Sequence, residues 1–193
     1  MRLKRGSKKR SSLQGQEAFS LKRLDLTTQK YCNKFCSGNA YIDAFVADTN
    51  MDSTDTDRVS YIYVDNRINK AACVYSLSCS SIIFHNGNGT TLFPAVEIKS
   101  FALDKSFQHK SYGKCENDKE NENLTYGDVF LANVISSIAD FTDNICGGEC
   151  IVLYSVPEAE HFYKRNYFQN FKSFMSPDQS IVNEDCVPMF YML

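Results

Sequence analysis

The amino-acid sequence predicts a mixed α/β fold in which helices cover the faces of one sheet. Three segments carry that prediction. The run CIVLYSV (150–156) is almost uninterruptedly apolar, as a strand buried on both faces must be. The segment TYGDVFLANVISSIADFTDN places Phe130, Leu131, Val134, Ile135, Ile138 and Phe141 on one helical stripe. SYIYVDN and NKAACVYSLSC, rich in β-branched and aromatic residues, flank an Asp65-Asn66-Arg67 turn and predict a β-hairpin.

The other elements follow in chain order. Residues 1–20 are polar and aperiodic and predict a disordered basic arm ahead of one domain over 21–193. LKRLDLT, from Leu21, alternates as an edge strand does. In FCSGNAYIDAFVAD, Tyr41, Ile42, Phe45 and Val46 form a helical stripe that Ser37 or Asn39 could cap. DTNMDSTDTDR has the alternating carboxylates of a calcium loop without its glycine and closing glutamate, so it reads as a solvated loop. The Gly/Asn-rich HNGNGTT reads as a connection into a strand at AVEIKSFALD. Residues 114–124 are polar and acidic, a mobile insertion with too little apolar surface to bury. Pro157 opens a helix over PEAEHFYKRN in the N1 position that proline favours, and YFQNFKSF and CVPMFYML supply the last strands.

At 193 residues and 43% hydrophobic, the chain is long enough for one real core without staples. No apolar run approaches the roughly 18 residues that span a bilayer, so no membrane association is expected. The N-terminus lacks the apolar stretch of a secretory signal, which predicts a cytoplasmic protein. The net charge of −2 hides an asymmetry: residues 1–23 carry +7 and the remainder −9. Such an arm can make salt-sensitive phosphate contacts, whereas the acidic body does not look like an RNA-binding face. None of the eight cysteines has C-x-x-C spacing, and several lie in apolar runs (Cys73, Cys186), which predicts reduced, buried thiols and no metal. No G-x-S-x-G, Walker loop or H-E-x-x-H is present, which argues against hydrolase, nucleotide-triphosphatase and zinc-protease chemistry.

The most specific pieces of the sequence are FALDKSFQ (101–108) and PEAEHFYKRNYF (157–168). With AVEIKSFALDKSFQHKSYG, the long helix after it and IVLYSVPEAEHFYKRNYF, the chain resembles the acetyl-coenzyme A-dependent acyltransferases of the GNAT superfamily. KFCSGNAYIDAFV and YSLSCSSI resemble segments of the bacterial branch that includes the acetyltransferase toxins of toxin–antitoxin pairs. The resemblance covers roughly residues 20 to 193. It implies a GNAT-like mixed, mostly antiparallel central sheet flanked by helices, acetyl-CoA as cofactor and an N-acetyltransferase acting on a primary amine. The toxin branch implies an aminoacyl-tRNA acceptor, with a protein or a small-molecule amine as the alternatives, and an antitoxin protein partner; a homodimer is a further expectation.

The resemblance also implies a site. Acetyl-CoA would lie where strands 96–103 and 150–156 splay, against the backbone of Phe101, Ala102 and Leu103, with the Leu103 N–H holding the acetyl oxygen. Its pyrophosphate would meet a loop entering a helix N-terminus. That loop reads Gln108-His109-Lys110-Ser111-Tyr112-Gly113, followed by Lys114. Ser111 stands where the superfamily has a glycine, which implies strain or a changed loop path. The acids Glu116, Asp118, Glu120 and Glu122 next to it oppose a pyrophosphate. Tyr163 matches the tyrosine that protonates the coenzyme A thiolate, and Phe162 beside it is expected to contact the cofactor. Glu97 resembles a strand glutamate that serves as general base. Six residues before Leu103, it is expected to share a strand face with it. A water could be the base instead, with Glu97 a plain exposed carboxylate. A non-catalytic GNAT-fold binding protein with a degenerate cofactor loop is the alternative from another class.

Overall fold

The computed structural model describes residues 18–48, 57–86, 89–112, 124–172 and 185–193. One seven-stranded sheet runs through the molecule. In chain order the elements are β1 (Phe19–Arg23), α1 (Ala40–Ala47), β2 (Val59–Asp65), β3 (Lys70–Asn86), β4 (Gly89–Leu103), α2 (Tyr126–Phe141), β5 (Cys150–Ser155), α3 (Glu160–Arg165), β6 (Gln169–Asn170) and β7 (Val187–Met192). The strand order is β1-β2-β3-β4-β5-β7-β6. Only β4 and β5 pair in parallel. The long crossover through α2 is what a parallel pair requires. The mixed, mostly antiparallel sheet is the one the resemblance implied.

Alternate residues of the sheet enter two cores. On one face, Tyr63, Cys73, Tyr75, Val96, Ile98 and Leu103 pack under Phe130, Leu131, Val134 and Ile138 of α2 and Tyr163 of α3. On the other, Val46 of α1 sits on Ile62, Val64, Ala71 and Val74. A third cluster on this second side, Ile82, Ala95, Cys150 and Val152, has Phe84, Phe93 and Phe190 packed against it. Each fully buried Leu, Ile or Val of α2 stabilises the fold by about 1.5–3 kcal/mol.

Local chemistry sets the ends. Asn39 caps α1, its side chain accepting from the N–H groups of Tyr41 and Ile42. Thr125 and Asp128 close a capping box on α2. Phe19 and Ser20, placed in the arm by sequence, belong to β1. The Phe19 ring meets Phe107, Tyr126 and Phe130 edge-on, which anchors it.

Several expectations need correction. HNGNGTT is mostly ladder, since β3 and β4 pair as far as Asn86 and Gly89. Phe141 is 41% exposed because α2 ends there and gives way to a wider turn over Thr142–Cys146. Tyr154 is also exposed, so β5 is not buried on both faces throughout. Among the described cysteines none is in a disulfide, and Cys32, Cys73 and Cys150 are buried. Cys36, Cys79 and Cys146 are exposed and Cys186 lies between, since each sits at or beyond the margin of a core cluster. The loop at 49–56 and most of the 114–124 insertion lie outside the described residues.

Candidate active site

The site is built on a strand pair that comes apart. β4 and β5 pair from Ala95↔Cys150 to Ile98↔Leu153 and no further. The β5-facing edge of β4 from Lys99 to Leu103 therefore has no strand partner among the described residues. Tyr154 loses its cover at the same level, which is why it is exposed. A bulge marks the point: Ser76 faces Ser100 and Leu77 faces Ile98, so Lys99 is the extra residue. Its ammonium pairs with Asp57.

That bulge overturns one expectation. An extra residue reverses the in–out alternation, so Glu97 and Leu103 face opposite sides of the sheet. Leu103 enters the core beneath α2. Glu97 lies in register between Ser78 and Val152, on the side of the Ala95–Val152 cluster. Burial raises the Glu97 carboxyl above the ordinary carboxylate range and the Asp57 charge adds to this, against the pull of Lys99 and Ser78. Glu97 in turn helps to raise the Tyr154 phenol, after burial as the larger cause.

Tyr163 approaches from the opposite face. It sits on α3 at 8% exposure, with its ring edge-on to Phe162 (5.1 Å) and Phe168 (5.6 Å). Burial pushes its phenol well above the usual value, and neighbouring Cys73 adds to the shift. Its hydroxyl has no hydrogen-bond partner among the described residues. Phe162 stacks on Phe101 at 6.0 Å, which brings two of the expected cofactor residues together at the parted edge of β4. Ala102 turns to the other face and packs against the α1 core.

The loop after β4 folds differently from its sequence pattern. Asp104 (2% exposed) accepts from the N–H groups of Cys36 and Ser106 and pairs with Lys70 Nζ at 2.8 Å. Gln108 Nε2 donates to the carbonyls of Ser37 (2.7 Å) and Leu103 (2.9 Å), so its side chain ties the loop to the segment before α1. Of the two outcomes expected at Ser111, strain or a changed loop path, the structure has the changed path. The left-handed residue is His109 (φ 56°), and Ser111 instead bridges to Thr125. The Lys110 carbonyl accepts from Tyr126 N–H and the Leu124 carbonyl from Tyr112 N–H, so the chain leaves and returns through paired backbone. His109, Lys110 and Ser111 are exposed beside the start of α2, and Tyr112 packs edge-on to Tyr126. Gly113 and Lys114 lie outside the described residues. His161 is on the surface, as expected.

Sequence reading missed Gly127. It sits in the first turn of α2, where an added Cβ would lie 3.1 Å from the Phe162 ring. The T-x-x-D capping box over 125–128 was the local signal for the true helix start.

A sheet parted between parallel β4 and β5, with a loop running into the helix between them, defines a GNAT-like fold, and comparison with known structures agrees. No family model and no curated protein matches the sequence. Among solved structures, the chain matches a tyrosine-to-phenylalanine variant of KacT with a TM-score of 0.66 at 15% identity, over 91% of this chain and 95% of that one. It matches AtaT complexed with acetyl-methionyl-tRNAfMet with a TM-score of 0.63 at 14% identity, over 90% and 94%. A tyrosine-to-phenylalanine mutant of the AtaT toxin, bound to the C-terminus of the antitoxin AtaR and acetyl-CoA, gives 0.62 at 14%, over 91% and 93%. The likeness at such identity is one of fold, and the fold is that of these toxins.

Proposed function

We propose that this chain is an acetyl-CoA-dependent N-acetyltransferase of the toxin type. The observation that carries the reading is the gap between β4 and β5, with Tyr163 on one face of the sheet and Glu97 on the other. Attack on an acyl carbon brings the amine to one side of the carbonyl and sends the leaving group to another, so acid and base belong on different sides. The residues present fit the cofactor: the unpaired edge of β4 offers peptide groups to an extended arm. The exposed loop 109–111 and the Gly127 N–H are what this end of α2 turns toward phosphates, since the N–H groups of Thr125, Tyr126 and Asp128 already bond to Asp128 Oδ2, the Lys110 carbonyl and Thr125 Oγ1.

Bound acetyl-CoA supplies an activated acetyl group on a thiol leaving group. Glu97, directly or through a water, would take the one proton that a neutral amine sheds as the amide forms, and its raised carboxyl pKa makes it a better base than an ordinary glutamate. The Leu103 N–H holds the acetyl oxygen. Tyr163 would give its phenolic proton to the departing sulfur as a C–N bond replaces the C–S bond, and would regain a proton from water, so that one proton passes net from nitrogen to sulfur. Burial keeps that phenol protonated at neutral pH. The acceptor is the amino group of an aminoacyl-tRNA, supported by the complex of AtaT with acetyl-methionyl-tRNAfMet and by the basic arm. An antitoxin partner is supported by the AtaT–AtaR structure, and the cytoplasm is where such a substrate occurs. Among the described residues no helix is long and apolar enough to cross a membrane. The degenerate-loop alternative rested on Ser111 and on the acidic insertion, and the loop path with His109 as its left-handed residue speaks against the first of these.

Calorimetric titration with acetyl-CoA tests the reading. Wild type is expected to bind in the micromolar range, and Ser111→Gly to bind no more than about threefold tighter, roughly 0.7 kcal/mol. Absence of binding by both forms would sink it. Binding rescued only by Ser111→Gly would favour the non-catalytic alternative.

A second prediction follows from the paired backbone at Tyr112 and Leu124. Replacing 115–123 with an Asn-Gly turn removes Glu116, Asp118, Glu120 and Glu122 while keeping Gly113, Lys114 and both anchors. The shortened protein is expected to retain its Tm and bind acetyl-CoA several-fold tighter at low salt, a gain that fades near about 0.5 M salt as screening removes the repulsion. Weaker binding at every salt concentration would show that the insertion helps hold the cofactor.

A further inference from the structure

Asp128 is a carboxylate buried to 7% exposure in the first turn of α2, and no role in the reaction falls to it. Its Oδ2 accepts from Thr125 N–H (2.9 Å) and Thr125 Oγ1 (2.7 Å). Arg165, at the end of α3, grips both oxygens, Nε on Oδ1 at 2.9 Å and Nη2 on Oδ2 at 2.9 Å. Asn166 Nδ2 adds a third contact at 2.8 Å and donates as well to the Phe162 carbonyl. The guanidinium lies 5.3 Å from the centre of the Phe162 ring, and that ring fills the space left by Gly127. Two short pieces of chain 37 residues apart are thus locked by a bidentate ion pair and a ring against a bare backbone.

We infer that the Asp128–Arg165 clamp is a positioning device for the reaction. It sets the height of α3, and with it the Tyr163 hydroxyl, relative to the α2 N-terminus that receives the cofactor phosphates. The inference rests on the reading of acetyl-CoA as cofactor and Tyr163 as acid. The charges give it a distinctive signature. Asp128 puts a negative charge in the very turn that has to accept a pyrophosphate, and Arg165 neutralises it. The two partners therefore act oppositely on cofactor affinity although they form one bond. Loss of Arg165 leaves a bare carboxylate facing an anion. Loss of the Asp128 charge frees a cation next to it. Both unlatch α3.

The test uses the full chain with 13Cζ-labelled tyrosine, the Tyr163 resonance being the one missing from Tyr163→Phe. Acetyl-CoA is the probe, followed by calorimetry and by the shift of that resonance. In wild type, saturation with acetyl-CoA is expected to move the Tyr163 resonance. Asp128→Asn is expected to bind acetyl-CoA as tightly as wild type or tighter, yet to lose more than half of that shift. Arg165→Met is expected to weaken binding by tenfold or more, and the double variant to regain most of the affinity but not the shift. Arg165→Lys, a milder change, keeps the charge without the two-pronged grip and should keep affinity while losing shift. Parallel loss of affinity in all variants, tracking their Tm, would overturn the clamp as a positioning device and leave it a structural tie. An undiminished shift in Asp128→Asn would overturn it equally. If wild type itself fails to bind acetyl-CoA, the cofactor reading fails and takes the inference with it. Binding that never moves the Tyr163 resonance in wild type removes the acid from the site and the clamp's function with it.

Discussion

Tyr163→Phe is expected to lower the rate of acetyl transfer by about 10²–10⁴-fold, the usual worth of a positioned general acid. It should leave both acetyl-CoA affinity and Tm almost unchanged. The separation follows from the surroundings of the side chain. The ring makes the contacts, edge-on to Phe162 and Phe168, and phenylalanine keeps them. The hydroxyl has no partner among the described residues, so its removal orphans no buried group, and the stability change should stay below about 1 kcal/mol. Burial holds the phenol above its ordinary range, so the acid is present in its working form throughout the neutral region. The wild-type rate should accordingly show no alkaline decline due to Tyr163 below about pH 10. Initial rates of thiol release with total bacterial aminoacyl-tRNA as acceptor measure this directly. A variant within threefold of wild type would remove Tyr163 from the mechanism.

What the sequence disclosed and what it hid divide along the range of the interactions. α2 was legible because Phe130, Leu131, Val134, Ile135 and Ile138 repeat at the helical period, and the period is a property of a few turns of chain. β5 was legible because Cys150–Leu153 is apolar without interruption. Asn39 could be read as a cap because its partners lie two and three residues on. Glu97 was placed on the wrong face because the bulge at Lys99 is a fact about pairing with β3, and nothing within β4 announces it. Which path the loop takes is hidden for the same reason. A glycine missing at Ser111 implies strain only if the chain follows the usual path. The bridge to Thr125, fourteen residues away in sequence, takes it along another. The expectation of buried thiols failed at Cys36, Cys79 and Cys146 because an apolar stretch says that a strand or helix is near a core, not which side chains reach it. Phe162 and Gly127 belong together only because α3 folds back over α2, and no spacing in either segment encodes that.

The largest effect on stability is expected at Asp104, where that folding back is matched on the other side of the loop. Its carboxylate joins Lys70 at the start of β3, Cys36 ahead of α1 and Ser106 in the loop after β4, while its own N–H bonds to the Ala72 carbonyl. Removing one partner of a buried ion pair typically costs about 3–5 kcal/mol. Lys70 is 23% exposed and can turn to water, which puts Asp104→Ala near the lower end, about 3 kcal/mol. For a chain of this size that is a fall in Tm of about 6–12 °C. Asp104→Asn keeps the shape and some acceptors and should cost less, about 1–2 kcal/mol. The pH dependence separates charge from shape. Burial alone would raise the Asp104 carboxyl, but the contacts of Lys70, Ser106 and the Cys36 N–H outweigh it, and the net shift is downward. A carboxyl whose folded pKa is depressed stabilises the protein above its unfolded value of about 3.9 and loses that contribution as pH falls further, through the folded value. The gap in stability between wild type and Asp104→Asn should therefore be full at pH 7 and narrow steadily below about pH 4. A gap that stays constant on acidification would mean that the carboxylate holds these segments by its shape and hydrogen bonds alone, with no net contribution from its charge.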